Sequence, residues 1–112
     1  MRSITFLCAS FAMAVGCASA PPVAEQEASS ASIRAAEEVG ATHSPQAALH
    51  LQLAKEQFEA AKNEEDKDKA VRILARAQAD AELALAEART EADRAEARAA
   101  MEKANQLQSA KQ

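Results

Sequence analysis

The chain has 112 residues, a formal net charge of −4 and 48% hydrophobic residues, yet only 3% aromatics, with no Trp or Tyr. An acidic balance without interleaved aromatics argues against nucleic-acid binding, where Lys and Arg must neutralise phosphates. Alanine-rich sequence with charges of both signs and few Gly or Pro points to long helices or a coiled coil rather than to an enzyme-like architecture.

The first segment, Met1-Arg2-Ser3, places one basic side chain beside the amino terminus, and Ile4 to Val15 follows without a charge. Such a run fits the apolar region of a secretory signal and is shorter than the roughly 18 residues that a spanning helix needs. It ends Ala14-Val15-Gly16-Cys17. These residues resemble the lipobox of bacterial lipoproteins, in which small or apolar residues precede an obligatory cysteine; Ala14 stands where leucine is usual. The resemblance implies cleavage after Gly16, a diacylglycerol thioether on Cys17 and a further acyl chain on its new amino group. At about 0.8 kcal/mol per buried methylene, two or more chains hold a domain stably at a membrane. Under the lipoprotein sorting rule, Ala18 in place of aspartate after the cysteine implies the periplasmic face of the outer membrane. The alternative is an ordinary secretory signal cut after Ala18-Ser19-Ala20, which leaves Cys17 unexplained. Cys8 lies within the signal and leaves with it, as do Arg2, Phe6 and Phe11, so Phe58 is the sole aromatic of the expected mature chain.

Residues 17 to 30 mix Ala, Ser, Pro and Glu without apolar periodicity, and read as a lipidated, disordered tether. A helical domain is expected over 31 to 110. Its first helix, about 29 to 39, carries Ile33, Ala36 and Val39 at helical spacing, and Gly40 falls where a helix would stop. In Ala41-Thr42-His43-Ser44-Pro45, Ser44 suits the N-cap and Pro45 the first helical position. The second helix is expected over about 45 to 63, with the stripe Leu51, Ala54, Phe58, Ala61 widened by Leu49 and Leu53.

Asn63 to Asp68 is a charged interruption. It reads as a turn with Asp66 capping the next helix, or as a polar patch in one continuous helix supported by Glu65–Lys69 and Asp68–Arg72 pairs. The turn is favoured, because a continuous helix leaves Phe58 and Leu74 without partners inside the chain. The third helix, about 67 to 109, carries a heptad seam of Val71, Leu74, Gln78, Ala81, Leu85, Ala88, Ala92, Ala95 and Ala99. Folding about residues 65 to 66 puts Phe58 opposite Ile73 and Leu74, Leu51 near Ala81, and Ala47 near Leu85. The fold class is therefore all-α: a helical hairpin or small three-helix arrangement with a long C-terminal Ala-rich helix, with a coiled coil as an option. Beyond Leu85 the seam is nearly all alanine and looks underpacked in a monomer. Ala88, Ala92, Ala95 and Ala99 form a candidate interaction face; a solvated tail held by Arg89–Asp93 and Arg98–Glu102 pairs is the alternative.

From Ile33 to Val39 with Ala35-Ala36, through Ser44-Pro45, Leu53-Ala54-Lys55 and Phe58-Glu59-Ala60-Ala61, to Ala79-Asp80-Ala81-Glu82-Leu83-Ala84, the chain resembles a family of uncharacterised helical domains. These occur in small proteobacterial lipoproteins and ahead of peptidoglycan-binding domains in larger envelope proteins. The resemblance covers about 30 to 100 and implies a helical fold at the cell envelope without a reaction. A glycine usual in the family's last turn is replaced here by Asn63 and Glu64.

No residues are expected to hold a cofactor, a metal or a catalytic role. His43 and His50 are seven apart, whereas a helical metal pair prefers i,i+4, so both read as loop and surface histidines. The carboxylates of 64 to 68 lack the alternating loop and central glycine of a calcium site. Covalent attachment to peptidoglycan through a C-terminal lysine is doubtful, because Lys111 is penultimate, and no peptidoglycan-binding motif is present. The expected function is that of a lipid-anchored envelope protein with a structural or adaptor role, presenting a helical surface to a protein partner or to itself. The alternative is an envelope ligand-binding module, using the groove around Phe58 for a small apolar or cell-wall ligand.

Overall fold

The computed structural model describes residues 22–111. They form three α-helices and no strand: α1 Val23–Glu38, α2 Pro45–Lys62 and α3 Lys67–Ser109, with a single 3₁₀ turn at Ala41–His43. α1 and α2 both pack on α3. The α1–α2 connection lies beside Ala88 and Ala92, whereas the start of α1 lies beside Ala61, Lys67 and Ala70. The helices therefore run up, down and up, and α3 continues past the end of the other two.

α1 starts at Val23, inside the stretch expected to be an irregular tether. Two causes combine. Residues 23 to 28 (VAEQEA) are mostly good helix formers, and Pro22 accepts the first helical bond from Gln26 N–H at 3.0 Å. Tertiary burial adds the second: Ser29, Ile33 and Ala36 form the inner face, and a stripe this rich in small residues leaves a weak periodic signal in sequence. α1 ends as Gly40 turns left-handed at φ 86°, with Gly40 N–H bonding back to Glu37.

At the start of α2, Ser44 is extended, as a residue before proline must be, and its carbonyl accepts from Ala48 N–H at 2.8 Å. The expected hydroxyl cap does not form; Pro45 at the first helical position sets the start without it. Ala47, Leu51, Ala54 and Ala61 face inward. Leu49 and Leu53 do not widen that face as the spacing suggested: they are 57% and 36% exposed. Leu49 is two positions from Leu51, about 200° round the helix, so burying one turns the other outward.

The chain breaks between α2 and α3, so the continuous-helix alternative is not adopted. Asp66 caps α3 by accepting from Lys69 N–H at 2.9 Å, and Glu64 accepts from Asp66 N–H at 3.1 Å. Lys69 pairs with Glu64 across the turn at 2.6 Å rather than with Glu65 along the helix.

On α3 the buried line is Ala70, Leu74, Ala77, Ala81, Ala84 and Ala88. It keeps the heptad spacing but shifts by one residue at alternate positions from the expected seam. Val71, Gln78 and Leu85 become half-buried flanks. The reason is that α3 faces two helices, so the line most enclosed lies between them and admits small side chains. Ile33, Ala36, Ala41, Ala47, Leu51, Ala54, Ala81, Ala84 and Ala88 form the main core cluster, with Phe58 and Leu85 against it. The expected neighbours Leu51 and Ala81, and Ala47 and Leu85, thus share one cluster, while Leu74 is fully buried nearer the turn.

Candidate functional site

The expected lipidation residue, Cys17, lies outside the described residues. Among the described residues, no helix is long and apolar enough to cross a membrane.

The candidate interaction face divides. Ala88 is 5% exposed and belongs to the core, so it is not available to a partner. Ala92, Ala95 and Ala99 are exposed, as is every residue from 89 to 111. α1 and α2 end their cover at Ala88 because the α1–α2 connection sits there, and nothing else in the described chain can reach further along α3. The result is an arm of roughly 30 Å, at 1.5 Å per residue, projecting from the bundle. Met101 and Leu107 are its large apolar residues, 68% and 59% exposed. Taking about 100° per residue, Ala92, Ala95 and Ala99 continue the line of Ala81 and Ala88, whereas Met101 and Leu107 lie on other flanks. Glu91 pairs with Arg94 at 2.8 Å. The expected pairs Arg89–Asp93 and Arg98–Glu102 are absent among the described residues.

Where the arm leaves the bundle, Val39, Gly40, His43, Pro45, Ala88 and Ala92 line an open groove of about 510 Å³. Phe58 lies elsewhere: it packs half-buried on the core, with the Lys62 ammonium 5.9 Å from its ring centre.

His43 sits in the 3₁₀ turn, exposed, with Nδ1 3.2 Å from the Gly40 carbonyl. His50 departs from the surface role expected of it. It is half-buried between α2 and α3, with Nδ1 3.3 Å from Asp80 Oδ1 and Nε2 4.0 Å from Glu87 Oε1. Gln57 donates to the other Asp80 oxygen at 2.8 Å. Spacing within one helix could not reveal this set, because its members come from two helices and meet only once the hairpin closes. Among the described residues no group of three ligating side chains is placed to hold a metal. The cluster links α2 to α3 through polar contacts beside an apolar seam of Ala47, Leu51, Ala54, Ala81 and Ala84.

Fold and site define a small all-α bundle with a protruding helical arm. Comparison with family models, with curated proteins and with solved structures finds no match.

Proposed function

We propose that this protein is a lipid-anchored envelope protein, held by acyl chains on Cys17 at the periplasmic face of the outer membrane, and that its role is structural or adaptor. The observation that carries the reading is the uncharged run Ile4 to Val15 ending in Gly16-Cys17, joined to a bundle from which α3 protrudes. A cleaved signal and a lipid specify where a domain is held. The arm then supplies a helical surface, with Ala92, Ala95 and Ala99 in line, that a helix of a second protein or of another copy can approach closely. The resemblance of residues 30 to 100 to envelope lipoprotein domains supports the same location.

The test is palmitate incorporation into the wild type and Cys17→Ser, followed by membrane fractionation. Label and membrane association should both be lost in the variant; equal labelling would sink the anchor. Capture of an envelope protein by the full chain, lost when the chain ends at Ala92, tests the adaptor role. Sedimentation at high concentration tests self-association.

The ligand-binding alternative draws on the open groove beside Ala88 and Ala92 rather than on Phe58. It predicts a thermal shift with muropeptides that Ala92→Leu, which fills the groove from its exposed side, removes.

A further inference from the structure

The order of the helices decides which end of the bundle a lipid on Cys17 would hold. α1 starts at Val23, and Pro22 and Gln26 lie beside Lys62, Lys67 and Ala70, at the same end as the α2–α3 turn. Only residues 18 to 22 separate Cys17 from α1. Six Cα steps reach at most about 20 Å, whatever conformation they take. α3 leaves the bundle at the opposite end, beside the α1–α2 connection. From Lys67 to Ser109 it rises about 65 Å.

Resting on the lipid-anchor reading, the geometry points to an end-on arrangement at a lipid surface. The turn end, residues 62 to 67 with the start of α1, meets the headgroup layer, and the arm of α3 stands away from it. The tip of α3 is then some 60 Å farther from the lipid than the turn, by the helical rise.

Charge opposes a bundle lying flat on its α1 flank. Lying in an interface requires an apolar face, and adsorption to anionic lipid requires a basic one. The exposed side of α1 carries Glu25 and Glu27 at its start and Glu38 at its far end against Arg34, while Glu37 is paired with Lys55 of α2. Anionic lipid repels that flank. The turn end carries exposed Lys62, Lys67 and Lys69 interleaved with exposed Glu65, Asp66 and Asp68, and Val23 is 49% exposed beside them. Mixed charge next to a small apolar residue suits the phosphate and ammonium of a zwitterionic headgroup.

The test uses the full lipidated chain in vesicles of phosphatidylethanolamine and phosphatidylglycerol containing a lipid with a nitroxide on its headgroup. A fluorophore is placed on the thiol of Asn63→Cys or of Gln106→Cys, since Cys17 is acylated and Cys8 lies in the removed signal. Quenching should be several-fold stronger at position 63 than at 106. A Gly-Ser spacer inserted between Ala20 and Pro21 should weaken quenching at 63 while flotation with the vesicles persists. Equal quenching at both positions, in a protein whose flotation needs Cys17, overturns the end-on arrangement and leaves the anchor standing. Flotation unchanged by Cys17→Ser overturns the anchor, and the arrangement with it.

Discussion

Removing the Ser29 hydroxyl should destabilise the bundle by about 1 kcal/mol, the usual net worth of a buried neutral hydrogen bond. Ser29 is fully buried, and its hydroxyl donates to the Leu74 carbonyl at 2.8 Å, tying α1 to α3. Ser29→Ala keeps the volume small enough for the helices to approach, so its urea midpoint should fall modestly. Ser29→Leu should fall much further, because a large side chain forces α1 off α3. Leu74, 0% exposed, is the largest fully buried side chain among the described residues. Leu74→Ala should cost about 2–5 kcal/mol, enough to abolish cooperative unfolding in so thin a core. Gly40 is likewise constrained by its surroundings. At φ 86°, a Cβ there would lie 3.1 Å from His43 Nδ1, so Gly40→Ala should destabilise by about 1 kcal/mol or more, read by the same titration.

At the scale of the element, the α2–α3 turn makes a pH-dependent contribution with a defined sign. The bonds from Lys69 and from Asp66 N–H hold the Glu64 carboxyl below the usual glutamate range. That stability is present above the ordinary glutamate value and is lost as pH falls through the lowered folded value. Lys69, raised by its bond to Glu64, acts at the other extreme: its contribution is lost as pH rises beyond the ordinary lysine range. Unfolding midpoints measured from neutral to acidic pH should therefore fall less steeply in Glu64→Gln than in the wild type. The cap is separable from the ion pair. Asp66→Ala should lower stability by about 1 kcal/mol near neutrality, as loss of an N-cap does. α1 teaches a further point at this scale. Its inner face, Ser29, Ile33 and Ala36, holds one large apolar residue, so the helix gains most of its stability from lying on α3 rather than from its own pattern.

Taken as a whole molecule, the protein joins a packed bundle to an arm that buries nothing against it. A chain ending at Ala92 should keep the bundle's urea midpoint while losing the arm's share of the helical circular-dichroism signal. A large drop in midpoint would mean that the arm packs back on the bundle.

Three elements of this architecture follow from local chemistry. Ser44-Pro45 and Asp66 fix where α2 and α3 begin, and the spacing of Ala, Leu and charge fixes that each is helical, because proline geometry, capping and the helical period act within a few residues. The turn at 63 to 66 was legible for the same reason. Tertiary structure alone decided the rest. It extended α1 back to Val23, turned Leu49 and Leu53 outward, and moved the buried line of α3 onto Ala70, Ala77 and Ala84. It also brought His50 to Asp80 and Glu87 and enclosed Ala88, while leaving Ala92, Ala95 and Ala99 bare. Alanine explains the division: it is a strong helix former but a weak marker of which face is buried, so the sequence by itself determined the helices, and only their mutual packing determined the faces.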